Sequence, residues 1–191
     1  MQLFNPWANF YIITGSAAAA LTGLMFVTVT LAAQQRTLSG REGFSAYSTP
    51  TVVHFCAAFL ISVVLAAPWR SLFQAALILG LTGAYGVVYL LRKTYRSMGR
   101  ASGSYTPDIE DRIWYLALPA VAYGALIATA VLLFTRPVDA MFVLAVATTL
   151  LIFIGIHNAW DVVTYLALSF GADDAQTTPG NAESSNRGVD S

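Results

Sequence analysis

Four polar residues stand out because of where they lie. His54, His157, Asn158 and Asp161 fall inside long apolar runs. Groups of this kind are costly at membrane depth and usually face a bundle interior, where they pair. His157, Asp161 and Thr164 recur at i, i+4 and i+7, one face of a helix. Tyr47, Thr51, His54, Ala58 and Ser62 line one face of an earlier segment, and Tyr115, Pro119 and Tyr123 one face of a later one. The candidate cluster is therefore His54, His157, Asn158, Asp161 and Tyr123. Four kinds of chemistry fit it. The first is a structural network, with Asp161 held by His157 or a tyrosine and His54 bridging helices. The second is a proton or ion pathway with histidine and aspartate as relay groups. The third is a metal site, since imidazole and carboxylate suit zinc or iron. No HxxxH or HExxH spacing supports the third, so no metal or other cofactor is expected. The fourth is a catalytic acid–base pair. The sequence holds no serine elbow, CxxC, P-loop or dinucleotide fingerprint, and a non-enzyme is expected.

The elements that would position these residues are legible from composition. Of 191 residues, 57% are apolar and 10% charged, where a soluble domain carries roughly 25% charged. A chain this short has too little interior to hide several uncharged runs of more than 20 residues. Five runs emerge at about 7–33, 44–68, 72–91, 113–135 and 140–168, each able to cross a bilayer as a helix. They are continuous rather than alternating, and too long for spanning strands. The expected fold is all-α: a transmembrane bundle of about five helices over residues 1–170. Residues 171–191, rich in Asp, Asn, Ser, Gly and Pro, form an expected disordered tail. The first run lacks the basic flank of a cleaved signal and reads as a retained span. Cys56 has no partner for an internal disulfide. Zero net charge and the absence of a basic, aromatic-interleaved patch argue against nucleic acid.

Arginine and lysine set the orientation. Arg36, Arg41, Arg92, Lys93, Arg96, Arg100 and Arg112 fall on one side of five spans; Arg70 and Arg136 fall on the other. The basic side is cytoplasmic by the positive-inside rule. This places the N-terminus outside, the tail inside, and His54 and His157 each roughly 15 Å from the cytoplasmic ends of their helices at 1.5 Å per residue. Trp7, Phe10 and Trp69 outside, with Phe44, Tyr95 and Trp114 inside, fit interfacial belts.

Small residues give the packing expectation. Gly15, Ala19 and Gly23 recur at intervals of four in the first span, and Ala76, Gly80 and Ala84 in the third. Such stripes let backbones approach closely, inside the bundle or in an oligomer. Pro119 removes a backbone bond from the fourth span and is expected to kink it.

The first span reads F-Y-I-I-T-G-S-A-A-A-A-L-T-G-L-M-F-V-T-V from Phe10 to Val29. This segment, with Ser48-Thr49-Pro50-Thr51-Val52-Val53-His54-Phe55 and Ala67-Pro68-Trp69, resembles small multi-spanning bacterial membrane proteins, some labelled modulators of the FtsH protease. The match covers the first 70 or so residues. It implies a bacterial inner-membrane protein and carries no functional residues onto this chain. The function expected is regulatory helix–helix contact with membrane partners or with a second copy, within the lipid bilayer. The alternative is a small channel or proton-coupled transporter using the His/Asp cluster; no internal repeat supports it.

Overall fold

The computed structural model describes residues 3–34, 41–99 and 109–177. Every regular element among them is helical. A 3₁₀ turn, Asn5–Trp7, leads into α1 (Ala8–Gln34); α2 spans Arg41–Ala66 and α3 Leu72–Gly99. A short α4 (Ile109–Arg112) passes through a π-helical turn, Ile113–Ala117, into α5 (Leu118–Thr135), and α6 covers Pro137–Thr177. Five stretches are long and apolar enough to cross a membrane: Asn5–Thr30, Thr49–Ala66, Leu72–Arg96, Ile113–Thr135 and Pro137–Thr164. The protein is an all-α helical bundle.

Local chemistry explains why these segments are helices. A helix satisfies its own backbone groups, which apolar surroundings demand. The hydroxyls of Thr22, Thr82, Thr129 and Thr148 each donate to the carbonyl four residues back. They therefore need no partner on another helix. The last break is one residue wide. Arg136 leaves helical geometry at φ −141°, ψ 69°, and Pro137 opens α6 at a position where its missing N–H costs nothing. The final span thus begins three residues before the expected 140. At its far end α6 runs on to Thr177, beyond the expected start of the tail at 171. Extending a formed helix through Ala172, Asp173, Asp174 and Ala175 is easier than nucleating one. Residues 178–191 lie outside the described residues. Pro50, buried within α2, is tolerated inside that helix.

α2, α6, α5 and α3 succeed one another around the bundle, and α1 packs on the outside of α2 with a lighter contact to α6. Although a tight turn at 67–71 joins them, α2 and α3 touch little. The Trp69 indole N–H closes this turn onto the Val64 carbonyl. α3 and α5 run antiparallel in a register set by small residues. A Cβ on Gly80 would lie 3.2 Å from Ala130, and one on Gly83 would lie 2.8 Å from the Tyr123 carbonyl oxygen. One on Gly86 would fall on the Tyr123 ring.

The two expected packing stripes are corrected by this geometry. Gly15 does pack: a Cβ there would lie 2.9 Å from Ser62 Cβ. Ala19 and Gly23 instead face outward, and nothing lies within 4 Å of a Cβ placed on Gly23. The buried face of α1 is Tyr11, Thr14, Gly15, Ala18 and Met25. On α3, Ala76 is buried and Gly80 packs, but Ala84 is exposed; Gly83 and Gly86 take its place. A strict spacing of four gains about 40° per step on a helix of 3.6 residues per turn. Two steps carry Gly23 and Ala84 off the faces that Gly15 and Ala76 occupy. The real stripes alternate three and four.

Candidate functional site

The site starts from Pro119. It lacks an N–H, and its ring would collide with the carbonyl of Tyr115 in a regular α-helix. The chain accommodates this by widening one turn: Leu118 N–H bonds back to the carbonyl of Ile113, five residues earlier. The expected kink is thus a π turn. It splits the face expected to hold Tyr115, Pro119 and Tyr123 together. Tyr123 points into the bundle, while Trp114 and Tyr115 are carried against α6.

Two sub-clusters result. In the first, His54 Nδ1 of α2 lies 2.9 Å from Tyr123 Oη of α5, with both residues about 1% exposed. This bond crosses the interior between helices that are not direct neighbours. Gly86 of α3 makes room for the Tyr123 ring. In the second, Tyr115 OH donates to Asp161 Oδ2 at 2.9 Å, and His157 Nε2 lies 3.7 Å from the same oxygen. Trp114 stacks on the His157 ring, with centroids 3.9 Å apart and planes at 19°. The Lys93 ammonium sits 4.7 Å from the Tyr115 ring centroid, a cation–π contact. His157 and Asp161 are 27% and 37% exposed, so this sub-cluster reaches the surface of the bundle.

Asn158 belongs to neither. Gly155 abuts the Phe55 ring. α6 and α2 run antiparallel, so one turn along α6 brings Asn158 level with Thr51, itself one turn from His54. Asn158 is fully buried, and neither its Oδ1 nor its Nδ2 has a hydrogen-bond partner.

The five residues singled out in the sequence therefore do not form one constellation. His54 joins Tyr123, His157 joins Asp161, and Asn158 pairs with neither. Trp114, Tyr115 and Lys93 complete the second group. Trp114 was expected at a membrane interface and Lys93 among loop charges; neither expectation carries the π turn that brings Trp114 to His157. The proline four residues beyond Tyr115 is the sequence signal that marks it. Among the described residues no group of three or more His, Cys, Asp or Glu is placed to hold a metal ion.

The rest of the interior differs in character. Towards the turn at 67–71, Thr14 and Ser62 hydroxyls pair at 3.0 Å. Between them and His54 lies a fully buried apolar layer of Phe55, Ala58, Ile61, Leu126, Leu151 and Ile154. A purely apolar groove of about 250 Å³ runs outside, between α5 and α6, past Ala125 and Val146. Comparison with protein-family models, with curated proteins and with solved structures finds no match to this chain.

Proposed function

We propose that this is a multi-pass protein of the bacterial inner membrane, non-enzymatic, that acts by lateral contact of α1 with partner helices or with a second copy of itself. One observation carries the reading. Ser16, Ala19, Ala20 and Gly23, at i, i+3, i+4 and i+7, form an outward stripe that the bundle itself leaves uncovered. In lipid, small residues on one face let helices approach closely and associate. The resemblance of residues 10–29 to small bacterial membrane proteins supports the location. The seven-to-two distribution of Lys and Arg over the loops between spans supports an outer N-terminus and a cytoplasmic C-terminus.

The test is site-specific photocrosslinking in intact cells with a diazirine residue at Ala20, compared with Val131, an exposed site on α5. Discrete protein adducts from Ala20 and none from Val131 are expected. Equal adducts at both sites, or none at Ala20, contradict the reading.

A proton-coupled carrier is a second reading, favoured by the buried His54–Tyr123 bond and the separate His157–Asp161 pair. It requires that His54→Ala and Asp161→Asn abolish proton flux in proteoliposomes while the fold persists. Wild-type vesicles no leakier than empty ones would remove it. The apolar layer beyond His54 leaves any such route closed on one side in this conformation.

A further inference from the structure

We propose that Asn158 lines a small internal water site, through which the surface pair His157–Asp161 supplies protons to the His54–Tyr123 bond from one end of the bundle only.

The inference rests on four observations. The first is the orphaned carboxamide. Asn158 presents a donor and an acceptor in a fully buried position with no protein partner for either. Buried polar groups are almost always satisfied, by protein or by ordered water. The second is the register. Gly155 against Phe55, with α2 and α6 antiparallel, sets Asn158 at the level of Thr51, one helical turn from His54. A water there has several polar groups within reach, which is what a stable internal water needs. The third is the gradient of exposure, from Asp161 at 37% and His157 at 27% to Asn158 at 0% and His54 at 1%. The charged pair is where this series reaches the surface of the bundle. The fourth is the stop: the layer of Phe55, Ala58 and Ile61 with Leu126, Leu151 and Ile154 offers water no partner.

α5 contributes Tyr123, and the π turn Tyr115. α3 contributes Lys93, which lies over the Tyr115 ring, and the partly buried Tyr89. Histidine is the natural acceptor of a proton delivered this way. His54 then exchanges protons with one aqueous compartment while shielded from the other. This shares its residues with the carrier reading but does not need transport, so the two fail separately.

The chain has two histidines, which makes the test selective. Full-length protein with ¹⁵N-labelled histidine is placed in liposomes, and magnetisation transfer from water to each imidazole is measured by solid-state NMR. His54 is assigned by its disappearance in His54→Gln. Both rings are expected to receive water magnetisation in the native protein. Asn158→Leu, matched in branching and free of the orphaned amide, is expected to lose the His54 transfer and keep that of His157. Thr51→Val should give the same loss if the leucine variant does not fold. A dry His54 in the native protein, or a His54 still wet in both variants, overturns the proposal.

Discussion

Tyr115 makes two kinds of contact: its hydroxyl holds Asp161 and its ring carries Lys93. Interhelical hydrogen bonds in membrane bundles average about 0.6 kcal/mol, and aromatic pairs add about 0.5–1.5 kcal/mol. Tyr115→Phe should therefore lower the melting temperature of the detergent-solubilised protein slightly, and Trp114→Ala more, since it removes the His157 stack. The reverse order would mean that the stack contributes little. Gly83 and Gly155 are less forgiving. A methyl on Gly83 meets Tyr123 backbone, and one on Gly155 meets the buried Phe55 ring. Overpacking of this kind costs roughly 1–3 kcal/mol, so Gly83→Ala and Gly155→Ala should both shift thermal unfolding clearly downward. His54, His157, Asn158 and Asp161 were legible in the sequence as polar residues in apolar runs. So was the holding of Asp161 by His157 or a tyrosine; which tyrosine was not. His54 and Tyr123 lie on different helices, and only the tertiary fold decides that His54 meets Tyr123 rather than Asp161.

The elements were the most legible level. Length and the absence of charge located five helices, though α2 starts at Arg41 rather than 44 and α3 runs to Gly99 rather than 91, because a helix continues into charged residues that the apolar count leaves out. Pro137 starts α6 early because proline suits a first turn, and Pro119 produced a π turn rather than a simple bend. Helix faces were less legible. A repeat of four looks regular in sequence but rotates away from its partner, and so Ala19, Gly23 and Ala84 left the packing faces. The π turn supports a prediction at this scale. Pro119→Ala restores the missing N–H, so the turn can return to regular α-helix. That would rotate Trp114 and Tyr115 by about 100° per residue of lost insertion. The Trp114 stack on His157 should break, with a change in tryptophan near-ultraviolet dichroism relative to the native protein. An unchanged spectrum would mean that the contacts to α6, and not the proline, hold the wider turn.

At the scale of the whole molecule, the bundle has a polar charged end, an apolar middle and one peripheral helix. α1 leans on α2 and leaves most of its circumference uncovered, with Ile12, Ile13, Leu24, Phe26 and Val27 all more than half exposed. Within that apolar surface lies the stripe of Ser16, Ala19, Ala20 and Gly23. Sequence alone could place these residues on α1 but not say which way they point, because their direction depends on where α2 docks. The separation is useful, since Gly15 serves the fold and Gly23 does not. The most direct test is therefore Gly23→Leu in the full chain, in native membranes, beside Gly15→Leu. Gly23→Leu meets no atom of its own bundle and removes a poor helix former, a gain of up to about 1 kcal/mol. The account predicts that it keeps the native melting temperature or raises it, while the crosslinked partner adduct from Ala20 disappears; Gly15→Leu lowers the melting temperature. An adduct that survives Gly23→Leu undiminished would contradict the claim that this face of α1 is where the protein acts.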